Sequence, residues 1–207
     1  MDLMDIKKDF RQNSSYKYVL VIVDIFSRYM WAYKLKNKKP ASVLPHLEET
    51  IDEFKKYYPK AKISMTLDDG GEFKGPVKTY MNDKNFSLFY ANPKDGTKSR
   101  TQIVERGIRT LRERLTKLMV AKDSVKWIDY LDTVVKSYNN STHASIGVTP
   151  HTSFISKKPR KTPIARKKQT KKSFKIGDTV RILEKKGLFD KGSQANKFSA
   201  SVYEITK

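Results

Sequence analysis

The sequence of 207 residues contains no cysteine, and this absence excludes disulfides and thiolate zinc sites. Histidine is also scarce, because His46, His143 and His151 are too few and too scattered to indicate a histidine metal site. Long apolar runs are missing as well. The longest, Tyr18–Val23, stops at Asp24 and is far shorter than the roughly 20 residues that span a bilayer. We therefore expect an intracellular protein without a signal peptide, located in the cytoplasm or the nucleus.

Acidic residues are in short supply, with 22 Asp and Glu against 43 Lys and Arg and a net charge of +21. The excess is uneven, since residues 155–207 hold 16 Lys and Arg against 4 Asp and Glu. Such an excess indicates a polyanionic partner, above all nucleic acid. An acidic membrane surface is disfavoured because the basic stretches lack an amphipathic apolar face. With 38% hydrophobic residues the chain can still build a core.

Strands and helices alternate through the first 155 residues, and their order predicts an α/β fold. We expect strands at 2–6, 16–25, 30–35, 63–67 and 86–90. The β-branched run in the second strand is typical of a strand covered on both faces. We expect helices from Pro40 to just before Pro59, at 77–81, from Thr101 to about Ala121, and after a cap at Ser124. Residues 92–100 are expected to form a loop.

The last third of the chain changes character. Residues 156–172 are predicted to form a basic linker, because 157–172 carries nine Lys and Arg, no acid and no helical periodicity. From residue 173 to 207 the pattern returns to short strands, with a turn at Gly177-Asp178. The sequence thus predicts a domain at 1–155, the linker, and a small all-β domain whose core includes Phe189 and Phe198.

Three carboxylates stand in local sequences typical of metal ligands: Asp2, Asp68 and Glu105. Asp2 begins an apolar strand, Asp68 ends a strand and precedes glycines, and Glu105 lies early in a basic helix. Oxygen ligands suit hard divalent cations, and two such ions can clamp both oxygens of a phosphoryl transfer. Asp5 lies an odd number of residues from Asp2, so only one of them can point into a shared site. Asp69 and Glu72 are nearby alternatives to Asp68.

Glu105 shares its helix face with Arg109 and Arg112, at i+4 and i+7. Such a face joins a metal ligand to two guanidinium groups that can bind phosphates. For any single carboxylate, an ordinary i,i+4 ion pair is the better explanation. The three carboxylates together, in this context, favour a catalytic interpretation.

Four segments and the tail resemble the retroviral-type integrases, and more narrowly the integrases of Maverick/Polinton transposons and virophages. The resemblance lies in residues 1–6 with 16–31, in Asp-Asp-Gly-Gly-Glu-Phe at 68–73, in Ile-Val-Glu-Arg at 103–106, and in residues 138–150. In the tail, residues 174–182 resemble the start of the SH3-like barrel that follows such cores. The order and spacing of the segments carry the resemblance across nearly the whole chain.

The resemblance implies an RNase H-like core with an Asp, Asp, Glu triad, followed by an SH3-like barrel. Asp2, rather than Asp5, matches the first aspartate, Asp68 the second, and Glu105 the glutamate. It implies two Mg²⁺ or Mn²⁺ ions, double-stranded DNA partners, a homo-oligomer and a nuclear or virion-associated protein. Asp24 is interpreted as structural. The residues expected to contact DNA are Lys98, Arg100, Arg106, Arg109, Arg112, Lys167, Lys168, Lys171, Lys172 and Arg181.

Two features depart from the family pattern. Family members usually carry an amino-terminal zinc-binding domain and a longer first strand before the first aspartate, and this sequence contains neither. Two other functions stay open: a nuclease or cut-and-paste transposase with the same carboxylates, and an integrase-derived module that only binds DNA or chromatin. Residues 138–140 and His143 are interpreted as capping and loop residues, and Trp31 and Trp127 as core.

Overall fold

The computed structural model describes residues 1–7, 9–67, 70–90, 98–156, 174–182 and 201–206, and in the long helix it describes side chains from residue 101 onwards. The chain divides into two compact units, Met1–Ile164 and Ala165–Lys207. We describe each unit by itself.

Three antiparallel strands open the first unit: β1 at Asp2–Asp5, β2 at Tyr18–Val23 and β3 at Met30–Leu35. β2 lies in the middle, so that Asp2 pairs with Val21 and Val23 pairs with Met30. Four consecutive residues of β2 are buried, which confirms the prediction of a strand covered on both faces. β2 is shorter than the predicted 16–25 because the turn to β3 already begins at Ile25.

Helix α1 spans Pro40–Tyr57. It starts at a proline, whose fixed backbone angle and missing N–H suit the first turn of a helix, and it ends before Pro59 as predicted. Leu47 and Ile51 of its apolar stripe are buried, and Leu44 and Phe54 pack against the same core. α1 thereby covers one face of the three-stranded sheet.

Strands β4, at Ser64–Leu67, and β5, at Ser87–Tyr90, pair in parallel. Parallel neighbours need a crossover connection, and here it contains a 3₁₀ turn at Gly71–Phe73 and helix α2 at Pro76–Asp83. The amino group of Met1 donates a hydrogen bond to the carbonyl of Thr66 at 2.9 Å, which places β1 beside β4.

The remaining helices of this unit are α3 at Lys98–Ala121, α4 at Leu131–Asn140 and α5 at Pro150–Ser156. α3 begins three residues earlier than predicted, so 98–100 belong to the helix rather than to a loop. The helix predicted after Ser124 is divided into a 3₁₀ turn at Trp127–Asp129 and α4. Its apolar residues are nevertheless buried: Trp127, Leu131, Val134 and Tyr138.

Two apolar cores lie on opposite faces of the sheet. One joins Leu20, Ile22 and Trp31 to α1, α2 and Phe154 of α5. The other joins Val19, Val21 and Met30 to α3, α4 and Trp127. Both tryptophans are therefore core residues, as the sequence indicated.

In the second unit the described residues form one antiparallel pair of short strands, β6 at Thr179–Val180 and β7 at Tyr203–Glu204. Gly177 precedes β6 with φ +89°, a backbone conformation that favours glycine in the predicted turn. The segment 174–176 is not a strand. The predicted barrel stays a prediction, since Phe189 and Phe198 lie outside the described residues. Within the described part of the chain, no helix is long and apolar enough to cross a bilayer.

Candidate functional site

The side chains of Asp2 and Asp5 belong to opposite faces of β1. Asp2 pairs with Val21, which packs in the α3 core, and strand alternation puts Met4 on that same face. The Asp2 carboxylate is half-buried, and its Oδ1 accepts a hydrogen bond from the backbone N–H of Leu3 at 2.7 Å. Asp2 is thus the β1 carboxylate on the side of the helix that carries Glu105.

Asp5 instead forms ion pairs with two lysines. Its Oδ1 lies 3.0 Å from Lys38 Nζ and its Oδ2 3.2 Å from Lys7 Nζ. Burial alone would raise the pKa of Asp5, but the hydrogen bonds and charges of Lys38 and Lys7 outweigh it and lower this pKa below its ordinary value. The two lysines therefore compensate the negative charge of Asp5.

Helix α3 runs along β1 in the same direction. A Cβ added to Gly107 would lie 3.0 Å from Met30 Cε and 3.4 Å from Val23 Cγ2, so the helix backbone approaches the sheet closely there. Five residues later, Arg112 Nη2 is 3.5 Å from the carbonyl oxygen of Asp5. Val23 lies beyond the Asp2 end of β1, and Asp5 is at its other end. Glu105, two residues before Gly107, is consequently at the Asp2 end of the sheet.

The sequence analysis did not single out Gly107. Its position gave a signal, however, because it falls on the helix stripe formed by Val104, Ile108, Leu111 and Leu115. A glycine within an apolar stripe indicates a close approach of two backbones. The contact fixes how near Glu105 can come to β1.

The segments that carry the three predicted ligands meet at one cavity. This mainly apolar cavity of about 440 Å³ is lined in part by Met1, Thr66, Ile103 and Val104. Met1 precedes Asp2 by one residue, Thr66 precedes Asp68 by two, and Val104 precedes Glu105 by one. The described lining includes Asp24 but neither Asp2 nor Glu105, so the cavity brings together the sequence neighbours of these two carboxylates and not the carboxylates themselves.

Asp68 and its neighbour Asp69 lie outside the described residues, so the structure tests no distance to either of them. Among the residues that are described, no three His, Asp or Glu side chains come close enough to hold a metal ion. The predicted triad therefore stays a prediction. Asp2 and Glu105 supply the hard oxygen donors that Mg²⁺ and Mn²⁺ prefer, and they lie at the same end of the sheet.

Glu105 is exposed and lines a shallow cavity of about 320 Å³ with Gln102, Arg106 and Arg109. Arg112 lies further along the same helix and is also exposed. Because Glu105 is exposed, its carboxylate and the neighbouring guanidinium groups are accessible to a metal-bound phosphate from solvent. The predicted face of Glu105, Arg109 and Arg112 is thus present and open to solvent.

The other residues predicted to contact DNA lie in α3, in the second unit and in the predicted linker. Lys98 and Arg100 belong to α3, but their side chains are outside the described part of the structure. Arg181 is exposed just after β6 in the second unit. The basic residues of the predicted linker also lie outside the described residues: Lys167, Lys168, Lys171 and Lys172.

Asp24 serves the turn between β2 and β3. Its carboxylate accepts hydrogen bonds from the backbone N–H groups of Ser27 at 2.8 Å and Phe26 at 3.3 Å, and from the Ser27 hydroxyl. Such bonds stabilise a tight turn. They agree with the structural interpretation of this aspartate.

Asn139 is buried in α4 and hydrogen-bonds to the backbone of β3 at Met30. His143 holds a loop, since its Nδ1 lies 3.0 Å from the hydroxyl of Ser145. These contacts support the interpretation of this segment as structural. DNA contacts are not needed to explain either residue.

One known protein resembles the chain in sequence. No protein-family model matches the chain. A transposon-derived protein of Caenorhabditis elegans is 36% identical over 188 residues, which cover 90% of this chain. The chain spans 60% of the length of that relative.

Solved structures of retroviral integrases share the architecture. The catalytic core domain of BIV integrase superposes with a TM-score of 0.58 at 17% identity, covering 76% of this chain and 92% of that domain. The catalytic core of HTLV-2 integrase, solved with magnesium, gives 0.56 at 14% identity and covers 72% and 90%. A chain of a simian T-cell lymphotropic virus intasome, solved with a PP2A regulatory subunit, gives 0.61 at 18% identity and covers 87% and 59%. The chain therefore has the fold of retroviral integrase catalytic cores.

Proposed function

We propose that this chain is a metal-dependent polynucleotidyl transferase of the integrase type, which joins the ends of a transposon or virus to target DNA. One observation carries the proposal. Asp2 and Glu105 lie at the same end of the sheet, on a fold shared with integrase catalytic cores, and Thr66, two residues before Asp68, lines a cavity with Met1 and Val104. The transposon-derived relative supports a role in DNA transposition. Because one fold can host several functions, the carboxylates rather than the fold must be tested.

Asp2, Asp68 and Glu105 would hold two Mg²⁺ or Mn²⁺ ions. Bound there, divalent ions make a hydroxyl or water more nucleophilic and stabilise the leaving oxygen of a phosphodiester. The oxygen donors fit these ions, and the HTLV-2 integrase core, which shares the fold, was solved with magnesium.

Basic side chains near those carboxylates would position the DNA. Arg106 and Arg109 flank Glu105 on α3 and can hold phosphates with paired N–H groups. In the first step water cleaves the element end, and in the second the new DNA 3′-hydroxyl attacks a target phosphodiester. Neither step needs a nucleophilic side chain, which is consistent with a chain that has no cysteine.

Partners follow from the same chemistry. The net charge of +21 suits two DNA duplexes, an element end and a target. Contacts mainly to phosphates would leave target choice weakly dependent on sequence. Joining two ends at one target requires more than one active site, so we propose a homo-oligomer that works in the nucleus. The linker, Arg181 and the small β unit would add further DNA contacts.

A strand-transfer assay tests the proposal. The chain is incubated with preprocessed element ends and a plasmid target, with Mg²⁺ or Mn²⁺ and with EDTA. Joined products should appear only with the metal and should fall below detection in Asp2→Asn, Asp68→Asn and Glu105→Gln. The matched control is Glu113→Gln, an exposed acid on the same helix. Activity that persists in the three carboxylate variants would overturn the proposed site.

The transposon-derived relative also favours a second candidate, a cut-and-paste transposase with the same carboxylates. Cleavage on both strands at the element ends would identify that activity, whereas the first proposal predicts cleavage of one strand. DNA binding without any metal-dependent product, in the parent as in the variants, would instead identify a module that only binds DNA.

A further inference from the structure

Three lysines stand at adjacent strand ends of the sheet, at the end opposite to Glu105. Lys7 follows β1, Lys17 precedes β2 and Lys36 follows β3. Backbone hydrogen bonds hold these ends side by side, from Ile6 N–H to the Lys17 carbonyl at 2.8 Å and from Lys17 N–H to the Leu35 carbonyl at 3.0 Å. Neighbouring strands lie about 4.8 Å apart, so the three lysines span roughly 10 Å of surface.

Aromatic rings hold the cations of this end in place. Lys7 Nζ and Lys38 Nζ lie 5.8 Å and 5.2 Å from the ring centroid of Tyr18. Lys36 Nζ lies 5.4 Å from the Tyr16 centroid. A cation over a ring gains about 0.5–1 kcal/mol at an exposed site, and it keeps its N–H donors available.

A third ring repeats the arrangement. Lys17 Nζ lies 4.6 Å and Arg11 Cζ 5.9 Å from the centroid of Phe10. We call this surface the lysine–aromatic patch, defined by Lys7, Phe10, Arg11, Tyr16, Lys17, Tyr18, Lys36 and Lys38.

Three acids lie close to the patch. Asp5 pairs with Lys7 and Lys38, Asp9 lies in the loop after β1, and the charge of Glu72 acts on Lys38. The Asp5 pairs are half-exposed, and exposed ion pairs contribute only about 0–1 kcal/mol. A phosphate can therefore replace Asp5 at little cost.

Arg112 of α3 reaches the backbone of Asp5 at the edge of the patch. Arg112 Nη2 lies 3.5 Å from the carbonyl oxygen of Asp5, which is next to Lys7 and Lys38. From Glu105 to Arg112 the helix rises about 10 Å. That length of duplex carries about six phosphate charges. A straight duplex bound at Glu105 can thus reach Arg112, whose guanidinium group lies beside the Asp5 backbone.

We propose that the lysine–aromatic patch, at the end of the sheet opposite to Glu105, binds the phosphate backbone of double-stranded DNA. The inference rests on the proposed function for its substrate, and it adds a second duplex-binding surface to the α3 arginines. The rings fix the positions of the cations, and the cations bind phosphates without reading base sequence.

The test measures DNA affinity in EDTA, where strand transfer does not occur. Fluorescence anisotropy with a 30-bp duplex gives Kd between 50 and 200 mM salt. The patch variant carries Lys7→Ala, Lys36→Ala and Lys38→Ala. Each lost phosphate contact reduces the slope of log K against log salt by about 0.9, so we expect a reduction of about 2.7. The loss of affinity across that salt range should then shrink by about 40-fold.

The matched control removes three exposed lysines elsewhere, with Lys56→Ala, Lys60→Ala and Lys84→Ala. Its slope should stay within about 0.5 of the parent. The arginine variant, with Lys7→Arg, Lys36→Arg and Lys38→Arg, should preserve the parent slope, since it keeps the charge. Equal slopes for the patch and control variants would overturn the proposal, and so would a reduced slope in the arginine variant.

Asp5→Asn gives a result of opposite sign. It frees Lys7 and Lys38 while leaving every cation in place, so DNA affinity should rise about two- to fivefold. Weaker binding would contradict the patch. Because all these measurements are independent of metal, loss of the patch proposal leaves the carboxylate proposal intact, and the reverse also holds.

Discussion

The side-chain amide of Asn139 pairs with both backbone polar groups of Met30. Its Oδ1 accepts the Met30 N–H at 2.9 Å, and its Nδ2 donates to the Met30 carbonyl at 2.8 Å. Met30 begins the edge strand β3, so Asn139 takes the place of a neighbouring strand at that point. The contact ties α4 to the sheet.

Loss of this pair should destabilise the fold strongly. Asn139→Ala or Asn139→Leu leaves a buried N–H and a buried carbonyl without their partner, which costs about 2 to 4 kcal/mol. Urea denaturation followed by circular dichroism measures the difference. The control is Asn140→Ala, an exposed neighbour whose amide donates to the carbonyl of Lys136 within the same helix, and it should stay within about 0.5 kcal/mol.

Gly107 should tolerate a methyl group but not a larger side chain. In Gly107→Ala the new Cβ meets the flexible end of Met30, and the gain in helix propensity offsets the contact, so stability should change by less than about 1 kcal/mol. Gly107→Leu must push α3 from the sheet and should cost about 2 to 3 kcal/mol. Glu113→Leu, exposed on the same helix, is the size-matched control. Equal stability of the two leucine variants would show that the contact is loose.

Metal should stabilise the parent protein through the proposed ligands. A metal at ten times its Kd contributes about 1.4 kcal/mol, or a rise of about 3 to 5 °C in the unfolding temperature. We expect Mn²⁺ to produce this rise in the parent and in Glu113→Gln. Asp2→Asn and Glu105→Gln should abolish it. Differential scanning fluorimetry with and without EDTA makes the comparison, and an equal rise in all four proteins would place the metal elsewhere.

Tyr33 should make stability fall in alkaline solution. Burial, aided by nearby acids and opposed by the hydrogen bond to Thr50, raises the pKa of Tyr33 to about 12. The unfolded tyrosine has a pKa near 10, so between about pH 10 and 12 the folded state binds the extra proton and stability decreases with pH. Tyr33→Phe removes the 2.9 Å bond to Thr50 and should weaken this decrease. Urea denaturation at pH 9 and pH 11 gives both slopes, and parallel slopes would contradict a raised pKa.

The sequence predicted most of the first unit because its elements have strong local patterns. β3 and the end of α1 fall where apolar alternation and Pro59 indicated. α5 was missed because seven residues show no periodicity, although Thr149-Pro150 is a helix-start signal and the Thr149 hydroxyl accepts the N–H of Thr152. The break between Trp127 and α4 depends on packing, which local sequence does not show.

The candidate site was predictable to a different degree for each residue. Strand alternation predicted that only one of Asp2 and Asp5 points into the site, and the family resemblance selected Asp2; the observed register with β2 puts Asp2 on the α3 side. The end of the sheet at which Glu105 lies depends on the direction of α3, which is set by tertiary contacts of Gly107 and Arg112. The lysine–aromatic patch could not be foreseen from one segment, because it is assembled from two loops that are distant in sequence.

The sheet separates two apolar cores, and this separation is useful for engineering the stability of the protein. The sheet separates most residues of the layer beneath α1 from those beneath α3, so the effects of substitutions at sites that are not in contact should add. The α1 layer can therefore be strengthened to compensate for weakening changes around Glu105. A stabilised α1 layer would supply a tolerant background in which every residue near the proposed reaction site can be varied.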